Sequence, residues 1–174
     1  MSANKKALTD FNMRVPSIED ASSIYELAQP FKPLIGTNPV YTYLLVTSHF
    51  KETSVVVEDK ETNEIIGFIS GYIVPNREEK TLFLWEIGVR EGFHGNNLYI
   101  RMVQHLIKRI NPIWLEATAN PSNVSSIKRL GGISKEIRAE ISSSILFEKK
   151  NFGKVDHEEE ILYRIGPISR VVWE

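Results

Sequence analysis

The chain has 174 residues, 42% hydrophobic and 25% charged, which suits one globular domain that buries a core without disulfides or metals. It contains no cysteine, so disulfides, thiolate nucleophiles, thiolate zinc sites and thioester relays on the protein are excluded. A net charge of −1 supplies no global field for nucleic acid or an anionic membrane. The apolar runs TLFLW and IIGFI are far shorter than a membrane span, and the opening MSANKKALTD lacks the pattern of a secretory leader. A cytoplasmic protein is expected.

In chain order, FNMRVPS predicts a first strand. Ser17 can cap a helix, with Asp20 in the capping-box position. Ala21, Ile24, Leu27, Ala28 and Phe31 share one face of that helix, and Pro30 and Pro33 stop it. A loop through Gly36, Thr37 and Asn38 to Pro39 precedes a second short helix, roughly Val40 to Phe50. TSVVVED, the turn KETNE and IIGFISGYIVP read as a hairpin. After a charged turn, TLFLWEIGV is a strongly apolar strand suited to the middle of a sheet. A polar loop from Arg90 to Asn96 opens a helix on which Leu98, Met102, Leu106 and Ile110 form one stripe, ended by Asn111 and Pro112. IWLEATA is a buried-type strand. A short helix from Pro121 through Leu130 follows, with Gly131 and Gly132 expected to terminate it. ISSSILF and EEILYRIG are the last strands. The order β-α-α-β-β-β-α-β-α-β-β predicts an α/β fold. Its mixed sheet carries helices on both faces, and a right-handed crossover makes the fourth and fifth strands parallel.

The unit WEIGV, REGFHGN, NLYIRMVQHLIKRI is a strand, a polar loop and a helix. A helix N-terminus leaves about four amides unpaired and carries partial positive charge, which suits a pyrophosphate. An acyl-CoA needs such a site beside a strand that can pair with its pantetheine amides, and Trp85–Val89 could serve. Gly88 inside that strand suggests a bulge or a close backbone approach. An ordinary strand–helix connection has the same composition.

RVPSIEDASSIYEL, NPVYTYLLVTSHFKETSVV, IIGFISGYIVP, TLFLWEIGVREG, RMVQHLI, WLEATANPSN and HEEEILYRIGP lie in the order found in the GCN5-related N-acetyltransferase (GNAT) superfamily. Within it the chain resembles the ectoine-pathway diaminobutyrate acetyltransferases, most specifically in YTYLL with HFKETSVV and in LEATANPSN. The resemblance implies one N-acetyltransferase domain over 1–174. It implies a mostly antiparallel sheet of six or seven strands in which the parallel fourth and fifth splay apart. It further implies acetyl-CoA as co-substrate, direct transfer to a small primary amine such as L-2,4-diaminobutyrate, and a homodimer that binds neither nucleic acid nor membrane. Carried onto this chain, the CoA contacts fall on Ile87, Gly88, Val89, His94, Gly95, Asn96, Asn97, Leu98, Tyr99 and Asn123, with a helix-cap role as the alternative for Asn123. Two departures stand out. The loop normally reads Arg/Gln, two residues, Gly, one residue, Gly/Ala; here His94, Asn97 and Tyr99 take the basic and glycine positions, and Asn97 can hold left-handed geometry. In the stretch before YTYLL, Gly36 replaces an acidic residue. A CoA-binding or interaction module on the same fold is the competing reading.

Attack of an amine on a thioester requires the neutral amine, a proton acceptor, a donor for the tetrahedral oxyanion, and an acid for the leaving thiolate. Glu86 sits in an apolar run where burial raises a carboxyl pKa, which makes it the candidate base; a solvent-facing or salt-bridged Glu is the alternative. The Val89 amide is the oxyanion donor by resemblance. Tyr43 and Tyr41, on the second helix, are the candidate acids. Substrate contacts are expected at Trp85, Glu116, Thr118 and His157, against core, strand and solvated-loop alternatives. No two histidines have metal-ligand spacing, so no metal is expected. Trp173 would pack on a dimer mate or within its own chain.

Overall fold

The computed structural model describes residues 10–29, 38–93 and 97–169. Pro30, Phe31, Pro33, Gly36, Thr37, His94, Gly95, Asn96 and Trp173 lie outside the described residues. The elements follow the predicted order: β1 (Phe11–Arg14), α1 (Ala21–Ala28), α2 (Val40–His49), β2 (Val55–Asp59), β3 (Ile65–Ile73), β4 (Thr81–Val89), α3 (Leu98–Ile110), β5 (Trp114–Ala119), α4 (Val124–Glu136), β6 (Ile141–Phe147) and β7 (Glu160–Ile165). The strands form one seven-stranded sheet in the order β1-β2-β3-β4-β5-β7-β6. β1–β2, β2–β3, β5–β7 and β6–β7 pair antiparallel. β4 and β5 pair in parallel through Thr81↔Trp114, Leu82↔Leu115 and Phe83↔Glu116. Among the described residues no helix is long and apolar enough to cross a membrane.

The chain divides into two compact units. The first comprises Met1–Tyr72 and Leu84–Asn111, and the second Ile73–Phe83 and Pro112–Glu174.

In the first unit the period-two alternation of the strands sorts the helices onto two faces. Val56 and Phe68 join Ile24, Leu27, Ala28 and Tyr43 in one core cluster, on the side of α1 and α2. Val57 and Gly67, one residue along in each strand, face the other way. A Cβ on Gly67 would stand 3.5 Å from Val57 and from Met102 of α3. Ser17 and Asp20 act as expected at the entry to α1. The Asp20 carboxylate accepts from the Ser17 N–H at 2.7 Å and is gripped by both terminal nitrogens of Arg14 at 2.7 and 2.9 Å. α3 buries Leu98, Met102, Leu106 and Ile110, the predicted stripe, and ends on a left-handed Asn111.

In the second unit β7 runs between β5 and β6. α4 corrects the sequence expectation: it starts at Val124 and continues to Glu136, straight through Gly131 and Gly132. A helical glycine costs up to about 1 kcal/mol relative to alanine. Leu130, Ile133 and Ile137, each at most 4% exposed, outweigh that cost by burying one apolar stripe across the glycine pair.

Gly88 shows the predicted close approach. A Cβ there would lie 2.4 Å from Cε1 of the buried Phe68 ring. Gly88→Ala should therefore cost about 1–3 kcal/mol of overpacking in urea unfolding. Gly131 meets nothing within 4 Å, so Gly131→Ala should gain about 0.5–1 kcal/mol in the same measurement.

Candidate active site

Glu86 shares its side of β4 with Gly88, whose missing side chain lets the Phe68 ring lie against the strand. That is the α1/α2 side, and Tyr43 of α2 meets Phe68 edge-on with ring centroids 6.2 Å apart. Glu86 is 6% exposed and Tyr43 1%. The buried carboxylate hydrogen-bonds the Tyr43 hydroxyl and the Asn38 side chain, whose Nδ2 donates to Glu86 Oε1. Asn38 also hydrogen-bonds Tyr43. Burial pushes the Glu86 carboxyl above the usual carboxylate range, while the bonds from Tyr43 and Asn38 pull it back. Burial, and then the neighbouring Glu86 charge, push the Tyr43 phenol well above its ordinary value. The two groups are hydrogen-bonded to each other, a carboxyl whose proton affinity is raised beside a phenol that rests protonated.

Tyr41 stands apart from this trio and is 64% exposed. Trp85, pointing to the opposite side of β4 from Glu86, is exposed rather than part of the core. Ile87 is half-buried; Gly88 and Val89 are buried. Asn97 is left-handed at φ 51°, ψ 30°, and its side chain makes no cap bond, so it holds the turn into α3 as its residue type allows. Leu98 anchors the first turn, 1% exposed, beside a half-buried Tyr99. The amides of that turn carry the partial positive charge expected of a helix start.

In the second unit Glu116 is 2% exposed on β5 and is already paired. Arg77 Nη2 lies 3.1 Å from its carboxylate, and Arg164, opposite it on β7, places Nε at 3.6 Å. Arg164 also covers the Trp114 ring at 4.1 Å. The carboxylate expected to contact substrate is thus part of a three-membered ionic cluster. Thr118 is half-buried and pairs with Leu162. His157 is held by its surroundings: its ring stacks on Phe152 at 4.1 Å, and Nε2 is 3.7 Å from Glu160 Oε1. Asn123 caps α4, its Oδ1 accepting from the Ser126 N–H at 3.1 Å.

Sequence reasoning passed over Asn38, Arg77 and Arg164. Asn38 sits in the stretch compared with the relatives, but its reach to β4 is a matter of tertiary placement. Arg164 alternates with Leu162 in EILYRI, and only the β5–β7 register sets it against Glu116.

A group whose proton is bound more tightly folded than unfolded adds stability below its unfolded pKa and loses it as pH rises through the folded value. Glu86 is such a group, raised above 4.5. Glu86→Gln removes the dependence. Its melting temperature should exceed that of the wild type at neutral and alkaline pH, with the gap closing as pH falls toward 4.5. Parallel thermal melts across pH check this.

A sequence profile of the Acetyltransferase (GNAT) family matches residues 21–129. The chain is 36% identical to the L-2,4-diaminobutyric acid acetyltransferase of Oceanobacillus iheyensis, covering 98% of this chain and 96% of that one. It is 38% identical to the protein of the same name from Virgibacillus pantothenticus, over 90% and 98%. Among solved structures it resembles diaminobutyrate acetyltransferase EctA from Paenibacillus lautus, in complex with its substrate L-2,4-diaminobutyric acid and coenzyme A. That match has a TM-score of 0.82 at 25% identity and covers 94% of this chain and 98% of that one. With a profile spanning more than half its length and relatives matched nearly end to end, the chain belongs to the GNAT acetyltransferase family.

Proposed function

We propose that the chain moves the acetyl group of acetyl-CoA directly to the side-chain amine of L-2,4-diaminobutyrate. The observation that carries this is the buried Glu86–Tyr43–Asn38 trio, in a chain whose relatives bear that enzyme's name over nearly their whole length. We read both units as parts of one acetyltransferase domain, because the family profile runs through residues of each.

The chemistry follows from proton balance. The acceptor ammonium gives a proton to Glu86, and the neutral nitrogen attacks the thioester carbonyl. The backbone N–H of Val89 is the proposed donor to the oxyanion. Collapse breaks the C–S bond. The departing thiolate takes a proton from Tyr43, which recovers one from Glu86 along the hydrogen bond between them, and the second proton of the attacking nitrogen leaves to solvent as the amide forms. Tyr41 is the other candidate acid. The amides of Asn97, Leu98 and Tyr99 and the side chain of Asn123 are the proposed CoA contacts; the cap bond of Asn123 engages its Oδ1 and does not involve Nδ2. Acceptor contacts are proposed for Trp85, Glu116, Thr118 and His157.

A homodimer and a cytoplasmic setting complete the reading, with no role for nucleic acid or membrane. Support for the dimer comes from β6, an edge strand exposed at every residue that carries Ile141, Ile145, Leu146 and Phe147. Natural sheets normally blunt or cover such an edge.

The decisive assay incubates the protein with acetyl-CoA and L-2,4-diaminobutyrate, measures free CoA thiol, and locates the new amide by NMR. Thiol release with acetylation at the side-chain nitrogen is expected. CoA binding without turnover on any amine would overturn the proposal in favour of a binding module. Tyr43→Phe should lower kcat by roughly 10²-fold, the low end for loss of a general acid; a larger loss in Tyr41→Phe would move the acid role there. Light scattering should give a dimer for the wild type and a monomer for Ile145→Asp.

A further inference from the structure

Asn38 lies just before α2 and 48 positions from Glu86 in sequence, yet its amide nitrogen donates to Glu86 Oε1. It also hydrogen-bonds Tyr43, whose hydroxyl reaches the same carboxylate. Three side chains, from the approach to α2, from α2 itself and from β4, close a ring. Among the described residues no cation contributes to the proton affinity of Glu86; burial, Tyr43 and Asn38 account for it. The other titratable group facing the ring is Tyr25 of α1, packed edge-on against Tyr43 at 6.2 Å. Among the described residues the buried charge is therefore met by two neutral donors. A primary amide at position 38 does not titrate, presents two N–H donors, and so fixes one carboxylate oxygen without competing for its proton.

We propose that Asn38 is a positioning residue for acetyl transfer: by holding Glu86 Oε1 it keeps the carboxylate in one orientation and in the charged form that can accept the amine proton. This rests on the reading of Glu86 as base. The competing role is mere attachment of α2 to β4, and the two differ in how pH enters.

The test compares wild type, Asn38→Ala and Asn38→Asp. Asp keeps the shape of Asn but replaces a donor with a like charge, which raises the proton affinity of its neighbour. Acetyl transfer to L-2,4-diaminobutyrate is followed from about pH 6 to about pH 10, spanning the ionisation of a raised carboxyl and an amine. The acidic limb of kcat should move up by roughly one pH unit in Asn38→Ala, about a tenfold loss on that limb, and further in Asn38→Asp. Both variants should recover to within about threefold of wild type on the alkaline plateau, with the KM for the amine little changed, as for loss of a proton-transfer effect rather than of binding. A loss uniform across pH, or an unmoved limb, overturns the proposal. Thermal melts give a readout independent of turnover. Asn38→Asp should lose more stability at high pH than at low pH, and that difference should shrink in the Glu86→Gln background, where only the introduced carboxyl titrates. If it is unchanged there, Asn38 does not act through Glu86. If the wild type transfers no acetyl group, the proposed function fails, while the melts still decide whether the two side chains are coupled.

Discussion

A carboxylate buried beneath two helices is costly unless something makes its charge tolerable. In this protein Glu86 occupies that position, and most of the first unit is arranged around it. The apolar run TLFLWEIGV drives β4 into the sheet, and the pleat turns position 86 toward α1 and α2. Gly88, two residues on, gives Phe68 the space to lie flat against the strand. Phe68 in turn supports Tyr43, and Tyr43 meets Glu86. Among the described residues, neutral donors complete the arrangement. A cation would lower the proton affinity of the carboxylate and so weaken it as an acceptor. Two neutral hydrogen bonds moderate the effect of burial without abolishing it. The proposed role of Glu86 as base calls for a carboxyl in that state.

The second unit handles its buried carboxylate in the opposite way. Glu116 is flanked by two guanidinium groups, and Arg164 is itself stacked on Trp114. Such a group is held in a fixed position by its partners. The same residue type thus has two environments in one chain: hydrogen bonds from an amide and a phenol at Glu86, and two guanidinium partners at Glu116.

The fold was readable from sequence wherever periodicity was strong. The stripe on α3, the β-branched run of β2 and the apolar run of β4 each specify an element without help from its neighbours. Ser17 with Asp20 located the start of the first helical segment by local hydrogen bonding. The miss at Gly131 and Gly132 has a physical cause: glycine signals a helix end only when nothing beyond it pulls the chain onward, and Ile133 and Ile137 do so here. At the site, Glu86 and Tyr43 could be singled out because a lone carboxylate in an apolar strand and a tyrosine on a short helix are visible in one dimension. Their mutual bond, the contribution of Asn38 and the arginine partners of Glu116 depend on which strands and helices meet, and local pattern does not encode that.

The strand order of the second unit bears on how the chain is made. β7 follows β6 in the chain yet lies between β5 and β6, and both neighbours bond to it. A nascent polypeptide emerging from the ribosome as far as Phe147 therefore has its sixth strand ready but no strand to lay it against. Until β7 is available and inserts, β6 exposes an uncharged, partly apolar edge that other chains could pair with. Completion of this part of the sheet must wait until β7 has been made, and a chain cut before Ile165 would leave that edge open.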